Sequence, residues 1–335
     1  MNRYFFKFTD GQGVGNQLWC YLSLKSIFHE RKGELFFVGY KEFKVIELFP
    51  EKNFINDFIE DINDSDFIIN ESISYAYKGD FPVNECIIKK IDLLETKENN
   101  KVIEIKGLMQ RMGYLNSLSF LKNTLNATPI EGASVDEDVC VIHIRGGDYL
   151  GSPALLPASY FHKSMSIMQK TYNIKKFKII TNDANYARKL LPNCEIIGSG
   201  LAVHGVEETN AEHHIGGSIL HDYKILNSAR YIILANSTFS FWPVYLSCKK
   251  PKVIAPMYWF SYNFSNSWWS PGDSIVPEWK YLNKNSIFEN GQSIKNINYT
   301  NYDRLSMKYK MPFIKLMIRV RRKIFIYFKW TDFKG

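Results

Sequence analysis

The 335-residue sequence has few cysteines and no pair of them at the spacing of a metal or redox site. Its five cysteines are an odd number and lie far apart, which argues against a disulfide framework and favours reduced thiols in a cytosolic protein. No uncharged run approaches the ~18 residues that a transmembrane helix needs. The opening residues, MNRYFFKFTDGQG, lack the apolar stretch of a signal peptide. We therefore expect a globular cytoplasmic protein.

Positive charge is concentrated at one end of the chain. Residues 304–335 hold ten Lys or Arg and one acid, which leaves 32 basic and 33 acidic residues elsewhere. A basic tail on a neutral body favours a surface anchor over nucleic-acid binding. Apolar residues recur at helical spacing in this tail, which predicts a basic amphipathic helix on the inner face of the cytoplasmic membrane. A docked terminal helix and a contact with a partner protein are the alternatives.

Strands and helices are predicted to alternate along the chain, which favours an α/β fold. In the first half the pattern predicts strands at 4–8 and 35–39, a helix over 17–33, and an acidic surface stretch at 53–66. A composition break, NATPIEGASVDED, marks a domain boundary near residue 130. We predict an N-terminal α/β domain over 1–130, a second α/β domain over 131–300 and the tail over 301–335.

The strands of the second half are apolar and β-branched, as is typical of a parallel sheet covered on both faces. In such sheets ligands bind at the carboxyl ends of the strands. Three polar clusters follow predicted strands, and we treat them as candidate sites: GQGVGNQ (11–17), HIRGGDY (143–149) and ANSTFSFW (235–242).

The glycine-rich cluster allows two interpretations. It approaches the dinucleotide fingerprint GxGxxG, which would suit a nicotinamide-dependent oxidoreductase, but Asn16 stands where the third glycine belongs. A tight turn that needs glycine backbone is the simpler alternative.

The other two clusters offer groups that bind anions. Arg145 ends a strand and precedes two glycines, so its guanidinium suits a pyrophosphate, although a salt bridge to Asp148 is also possible. His143 and Asp148 supply only two ligands for a metal, which makes a metal site less favoured. Ser237 and Thr238 could bind phosphate at a helix start or simply cap the helix. The histidines of the loop at 198–216 are expected to be solvated.

Several segments between residue 11 and about residue 280 carry a family resemblance. They are, in chain order, GQGVGNQLWCYLSL, HIRGGDY, TND, HDYKILNSARYIILANSTFSFW, APMYWF and VPEW. Together they resemble the α1,2-fucosyltransferases of glycosyltransferase family 11, which use GDP-fucose. The resemblance implies two Rossmann-like domains facing a cleft (GT-B-like), inverting transfer without a metal or other cofactor, and an N-terminal acceptor side. The implied acceptor is a galactose-terminated oligosaccharide, for example of O-antigen, possibly carried on a lipid; another GDP-sugar as donor is the alternative.

The resemblance also assigns donor-binding residues. Arg145 resembles the arginine that holds the β-phosphate, and His143 and Asp222 resemble residues near the guanosine. The remaining implied contacts are Asp183 at the ribose, Asn236, Ser237, Thr238 and Phe239 in the hydroxyl-rich turn, and Gly13, Gly15, Asn16 and Gln17 facing the cleft.

The sequence departs from the family pattern at two positions close to the predicted donor-binding residues. Gly146 replaces a usual second arginine, and Asn182 interrupts an SDD-like strand end. Asp148 is either a catalytic base or a support for Arg145, and Glu207 and Glu208 are alternative bases.

Overall fold

The computed structural model describes residues 1–62, 64–71, 84–126, 135–150, 155–198, 218–257, 275–282, 287–288, 290–291 and 320. The predicted basic tail, apart from Val320, and nearly all of the histidine-rich loop, with Glu207 and Glu208, lie outside these residues. The chain divides into two compact units. Unit 1 comprises Met1–Tyr75, Phe81–Ala133 and Thr238–Cys248, and unit 2 comprises Ala76–Asp80, Ser134–Ser237 and Lys249–Gly335.

Unit 1 contains a parallel four-stranded sheet among its described residues, with strand order β2-β1-β4-β3. The strands are β1 (Arg3–Lys7), β2 (Glu34–Val38), β3 (Phe67–Asn70) and β4 (Val102–Lys106), and the helices are α1 (Val14–Ile27), α2 (Asn84–Lys97) and α3 (Leu118–Leu125). The glycine-rich cluster forms the turn from β1 to α1. Gly11 in this turn has φ +79°, a conformation that favours glycine.

Aromatic side chains build the core of unit 1 beside β2. Tyr21 of α1 packs on Phe37, Phe43 and Phe54 with ring centroids 5.0–5.4 Å apart. Phe54 is fully buried, so the expectation of a surface stretch over 53–66 is wrong at this residue. A short 3-10 helix, Phe54–Asp57, turns the ring inward, and each such buried ring stabilises the fold by about 1.5–3 kcal/mol.

Unit 2 contains a seven-stranded sheet in the part of it that is described, with order β11-β10-β9-β8-β5-β6-β7. Its strands are parallel except for the last pair, β10 and β11. The strands are β5 (Val139–Ile144), β6 (Lys176–Thr181), β7 (Glu195–Gly198), β8 (Tyr231–Ile233), β9 (Lys252–Pro256), β10 (Lys280–Leu282) and β11 (Ile287–Phe288), and the helices are α4 (Ala158–Tyr172), α5 (Ala184–Leu190) and α6 (Ile219–Ser228).

Strand β5 lies between β8 and β6 in the sheet of unit 2, and its six residues are all buried. Its apolar side chains pack against helix α4, where Tyr160 donates a hydrogen bond to the Leu234 carbonyl at 2.7 Å. Two α/β units with parallel sheets confirm the predicted fold class. The arrangement of the two domains across a cleft stays a prediction.

The helix after β8, α7 (Thr238–Tyr245), belongs to unit 1. It packs on α1, where the indole nitrogen of Trp242 donates to the Gly15 carbonyl at 3.1 Å. A Cβ atom at Gly15 would overlap the backbone of Thr238 and Phe239, so glycine allows the two helices to approach. None of the described helices is long and apolar enough to cross a membrane.

Candidate functional site

Strand order places the predicted anion-binding cluster at a topological switch point. In unit 2 the chain proceeds from β5 to β6 and β7 on one side, and from β8 to β9 on the other. The carboxyl ends of β5 and β8 therefore flank the crevice where parallel α/β sheets bind ligands. Arg145 follows β5, and Asn236 and Ser237 follow β8.

The Arg145 guanidinium is held by two neighbours in its own loop. Its Nε lies 3.0 Å from Asp148 Oδ1, and its Nη2 donates to Asp148 Oδ2 at 3.1 Å. The guanidinium carbon lies 5.4 Å from the centre of the Tyr149 ring, within cation–π range. The side chain remains 21% exposed, so this oriented cation is accessible to an anion.

The end of β6 fixes the two glycines that follow Arg145. Gly146 N donates to Asn182 Oδ1 at 2.8 Å, and Gly147 N donates to Asp183 Oδ2 at 3.0 Å. Asn182 also donates to Asp148 Oδ1 at 3.3 Å. The asparagine that interrupts the family pattern is thus a central contact of the loop, a role that sequence reasoning missed.

No room exists beside Gly146 for the second arginine of the family pattern. A Cβ at this position would lie 2.8 Å from Asp183 Cβ and 2.9 Å from Tyr186 Cδ1. Any other residue at 146 would therefore force the side chain of Asp183 or Tyr186 to shift.

Asp183, predicted at the ribose, is the N-cap of α5. Its Oδ1 accepts from Tyr186 N at 2.9 Å, while its Oδ2 accepts from Gly147 N. Both oxygens therefore hold backbone groups in place.

His143 and Asp222, predicted near the guanosine, are both fully buried. Burial, and to a smaller extent the Arg145 charge, lower the pKa of His143 from 6.5 to about 3. The imidazole is therefore neutral at physiological pH. Asp222 lies against Gly198 at the end of β7, where a Cβ would overlap its carboxylate.

Tyr149 connects the loop after β5 to the segment after β8. Its hydroxyl donates to the Asn236 carbonyl at 3.1 Å, and burial raises its pKa to about 12. Asn236 and Ser237 are buried, and Ser237 N donates to the Ala235 carbonyl. The signal that could have identified Tyr149 is its place directly after Asp148, four residues beyond the strand-end Arg145.

In unit 1, the predicted cleft residues meet the start of α7. Thr238 Oγ1 and Gln110 Nε2 both donate to Asn16 Oδ1, at 2.8 and 2.9 Å. Phe239 is buried. Gly13 is the N-cap of α1 and has open space around it.

Gln17, which the resemblance places facing the cleft, is fully buried in unit 1. Its Nε2 donates to the Glu42 carbonyl at 2.6 Å, and its Oε1 accepts from Lys44 N at 2.8 Å. The side chain fits there because α1 is buried on most sides, and the amide satisfies the backbone of the short 3-10 helices after β2.

A buried ion pair between Glu71 and Arg111 was also missed by sequence reasoning. Arg111 Nε donates to Glu71 Oε1 at 2.9 Å, and both side chains are 2% exposed. Glu71 Oε2 additionally accepts from Leu108 N and Met109 N. The pair fixes the connection after β4, which carries Gln110. Among the described residues, no three side chains of metal-binding type converge.

Comparison with known proteins gives one family. The model of Glycosyl transferase family 11 matches residues 111–283, just over half of the chain. Across 299 residues the chain is 23% identical to an Escherichia coli alpha-1,2-colitosyltransferase, a match that covers 81% of the chain and 97% of that protein. It is 24% identical over 132 residues to the E. coli O-antigen biosynthesis glycosyltransferase WbnK, covering 36% of the chain and only 39% of the length of WbnK.

Two solved structures show distant similarity. A family 9 glycosyl transferase from Veillonella parvula has a TM-score of 0.41 and 12% identity, covering 94% of the chain and 97% of that structure. The E. coli ADP-heptose lipopolysaccharide heptosyltransferase II has a TM-score of 0.39 and 10% identity, covering 94% and 98%.

The family match defines the class of protein as a glycosyltransferase. Within that class, the chain belongs to glycosyl transferase family 11, as its motifs predicted.

Proposed function

We propose that the chain is an inverting glycosyltransferase that moves L-fucose from GDP-β-L-fucose to the 2-hydroxyl of a galactoside in a surface glycan such as O-antigen. Its family membership supports glycosyl transfer, and its relatives' names support an α-1,2 linkage and O-antigen biosynthesis. The observation that carries the proposal is the oriented Arg145 guanidinium at the switch point of unit 2.

The chemistry of transfer explains why such a guanidinium is needed. Glycosyl transfer passes through an oxocarbenium-like transition state while negative charge builds on the departing diphosphate. A cation that is already oriented stabilises this charge without reorganisation, which is often the largest catalytic contribution. Arg145 meets the charge directly, with Ser237 as a further donor on the β8 side, and no metal or other cofactor takes part.

Asp148 orients Arg145 in this proposal. Its Oδ1 lies beside Arg145 Nε and accepts from Asn182, while its Oδ2 accepts from Arg145 Nη2. Because both oxygens are engaged, the contacts favour support of the guanidinium over proton abstraction from the acceptor.

Colitose is the second candidate for the transferred sugar, because a relative whose match covers 81% of the chain is named an α-1,2-colitosyltransferase. A nicotinamide-dependent reaction is disfavoured by the family match and by the use of Gly15 in helix packing.

We further propose a cytoplasmic enzyme held on an anionic membrane by its tail, where a lipid-linked acceptor would be available. The ten basic residues of 304–335 support this location.

The decisive experiment offers the purified protein GDP-fucose or GDP-colitose with a galactose-terminated acceptor in excess EDTA. A product heavier by one deoxysugar is expected, and its absence in both reactions contradicts the proposal. Transfer that returns only when a divalent metal is added contradicts the metal-free mechanism.

Arg145→Ala is expected to lower kcat/KM by ~10² or more. Arg230→Ala is the matched control, because Arg230 forms an exposed ion pair with Glu137 at the opposite end of the sheet. Near-normal turnover of Arg145→Ala would exclude the proposed role of Arg145 in stabilising the departing diphosphate.

A further inference from the structure

Unit 1 contains a second candidate binding site, and none of the predicted donor residues lines it. A cavity of about 910 Å³ opens at the carboxyl ends of β1 and β2, lined by residues of the segments 7–10, 38–42 and 55–61. This volume is that of a typical small-ligand site, and the carboxyl edge of a parallel sheet is where such sites occur.

The walls of this cavity are fixed by backbone packing. Gly39 has φ +84°, and a Cβ there would overlap the Phe8 carbonyl, so the turn after β2 is held close to β1. Gln17 clamps the next residues through Glu42 and Lys44. On the far side, Ile59 N donates to the Phe37 carbonyl at 2.9 Å and extends the sheet. The cavity is therefore preformed, which reduces the entropy lost on binding.

Two aromatic rings line the cavity at right angles to each other. The centres of Tyr40 and Phe58 are 5.2 Å apart with an interplanar angle of 76°, and both residues are partly exposed. A pyranose ring presents C–H groups on its faces and hydroxyls at its edge. Half-buried aromatic faces beside polar groups suit such a ligand.

Carboxylates outnumber ammonium groups around the same cavity. Lys7 is paired with Asp61 at 2.8 Å. The other charged lining residues are Asp10, Lys41, Glu42 and Glu60, giving a formal net charge of −2 over four acids and two bases. The carboxylates can accept hydrogen bonds from sugar hydroxyls, whereas the net negative charge of the lining repels carboxylate or phosphate groups of a ligand. A nucleoside diphosphate is therefore a poor occupant.

We propose that this cavity binds the accepting saccharide and selects a sugar without negative charge. Tyr40 and Phe58 pack on the sugar faces, Glu42 and Glu60 accept from its hydroxyls, and Gln17 positions the wall that carries Tyr40 and Glu42. This inference rests on the proposed glycosyl transfer. It adds that the accepting sugar carries no negative charge.

Two aromatic truncations test the contact. Tyr40→Ala and Phe58→Ala should each raise the KM for a galactose-terminated acceptor about tenfold while leaving the KM for the donor unchanged. Tyr172→Ala is the matched control, because Tyr172 forms a similar partly exposed pair with Tyr231 in unit 2. Unchanged acceptor KM in both variants, with active wild type, overturns the proposal.

Charge selection has its own test. The kcat/KM of wild type should be about tenfold or more higher for a galactose-terminated acceptor than for a matching acceptor that ends in the negatively charged galacturonate. The double variant Glu42→Gln/Glu60→Gln should reduce this ratio. An unchanged preference in the double variant contradicts selection by these carboxylates.

A binding measurement separates the cavity from the proposed reaction. Saturation-transfer NMR with the neutral acceptor saccharide alone should give signals with wild type that weaken in Tyr40→Ala. If wild type transfers no sugar but shows this loss, the proposed reaction fails and the cavity assignment stands. If wild type transfers sugar and Tyr40→Ala binds normally, the cavity assignment fails alone.

Discussion

An arginine–carboxylate pair lies beyond the carboxyl end of a strand in each of the two units, and the two pairs differ in burial. The Glu71–Arg111 pair follows β3 and β4, and its side chains are each 2% exposed. The Arg145–Asp148 pair follows β5, and its side chains are 21% and 42% exposed. The same two functional groups therefore occupy a similar place in two parallel sheets.

Burial decides what each pair can do. Glu71 is surrounded by protein donors, namely Arg111 Nε, Leu108 N and Met109 N, so this pair holds a loop. Arg145 retains an accessible edge, so its charge is available to a ligand. A strand-end arginine indicates an anion site only when the fold leaves part of its guanidinium open.

The largest expected effect comes from breaking the buried pair. Arg111→Met should lower the free energy of unfolding by about 3–5 kcal/mol, because it leaves the Glu71 charge buried without its partner. Urea denaturation measures this loss. Adding Glu71→Gln should recover part of it, and a loss below about 1 kcal/mol in the single variant would show that the two pairs are energetically alike.

The next effect concerns His143, which lies in the core beneath the exposed pair. Its folded pKa of about 3 is below the unfolded value of 6.5, so the unfolded chain binds more protons between these values. Stability is full above pH 6.5 and is lost as pH falls, by up to about 1.4 kcal/mol per pH unit. His143→Gln should reduce this slope between pH 6.5 and 4.5, measured by urea denaturation.

The exposed His162→Gln provides the control for that slope. An NMR titration of His143 gives a check that does not depend on the variant folding, and protonation of this imidazole near pH 6 would refute the prediction.

The smallest effect is expected from Asp148→Asn. Kcat/KM should fall about tenfold because the guanidinium loses its charged support, while the free energy of unfolding changes by less than about 1 kcal/mol. Glu137→Gln, in the exposed pair with Arg230, should change neither quantity. A much larger loss of kcat, together with loss of the acidic limb of the pH–rate profile, would instead identify Asp148 as a base.

The sequence predicted the second unit better than the first. The buried strands of unit 2 are short apolar runs ended by turn residues, so β5, β6, β8 and β9 could be recognised. In unit 1 the predictions omitted β3, α2 and α3, because partly exposed strands and helices lack a strong apolar pattern; β3, for example, buries only Ile69.

The place of Arg145 at a strand end could be predicted from the sequence, and its role in binding an anion stays a prediction. The contacts of Gln17 and Glu71 could not be predicted, because their partners are 25 or more residues away in the chain. Such contacts depend on how distant segments pack, which local periodicity does not contain. Asn182 was noticed as a departure from a pattern, but its contacts with Gly146 and Asp148 required the fold.

Gly146 also constrains how this enzyme can change over evolutionary time. Because Asp183 and Tyr186 occupy the space that a side chain at 146 would need, a single substitution to arginine is expected to disturb both neighbours before it could add a charge. Changes at 183 or 186 that open this space would make a second arginine at 146 easier to accept, so the order of mutations matters. The residues of that connection thus limit which side chains position 146 can accept next.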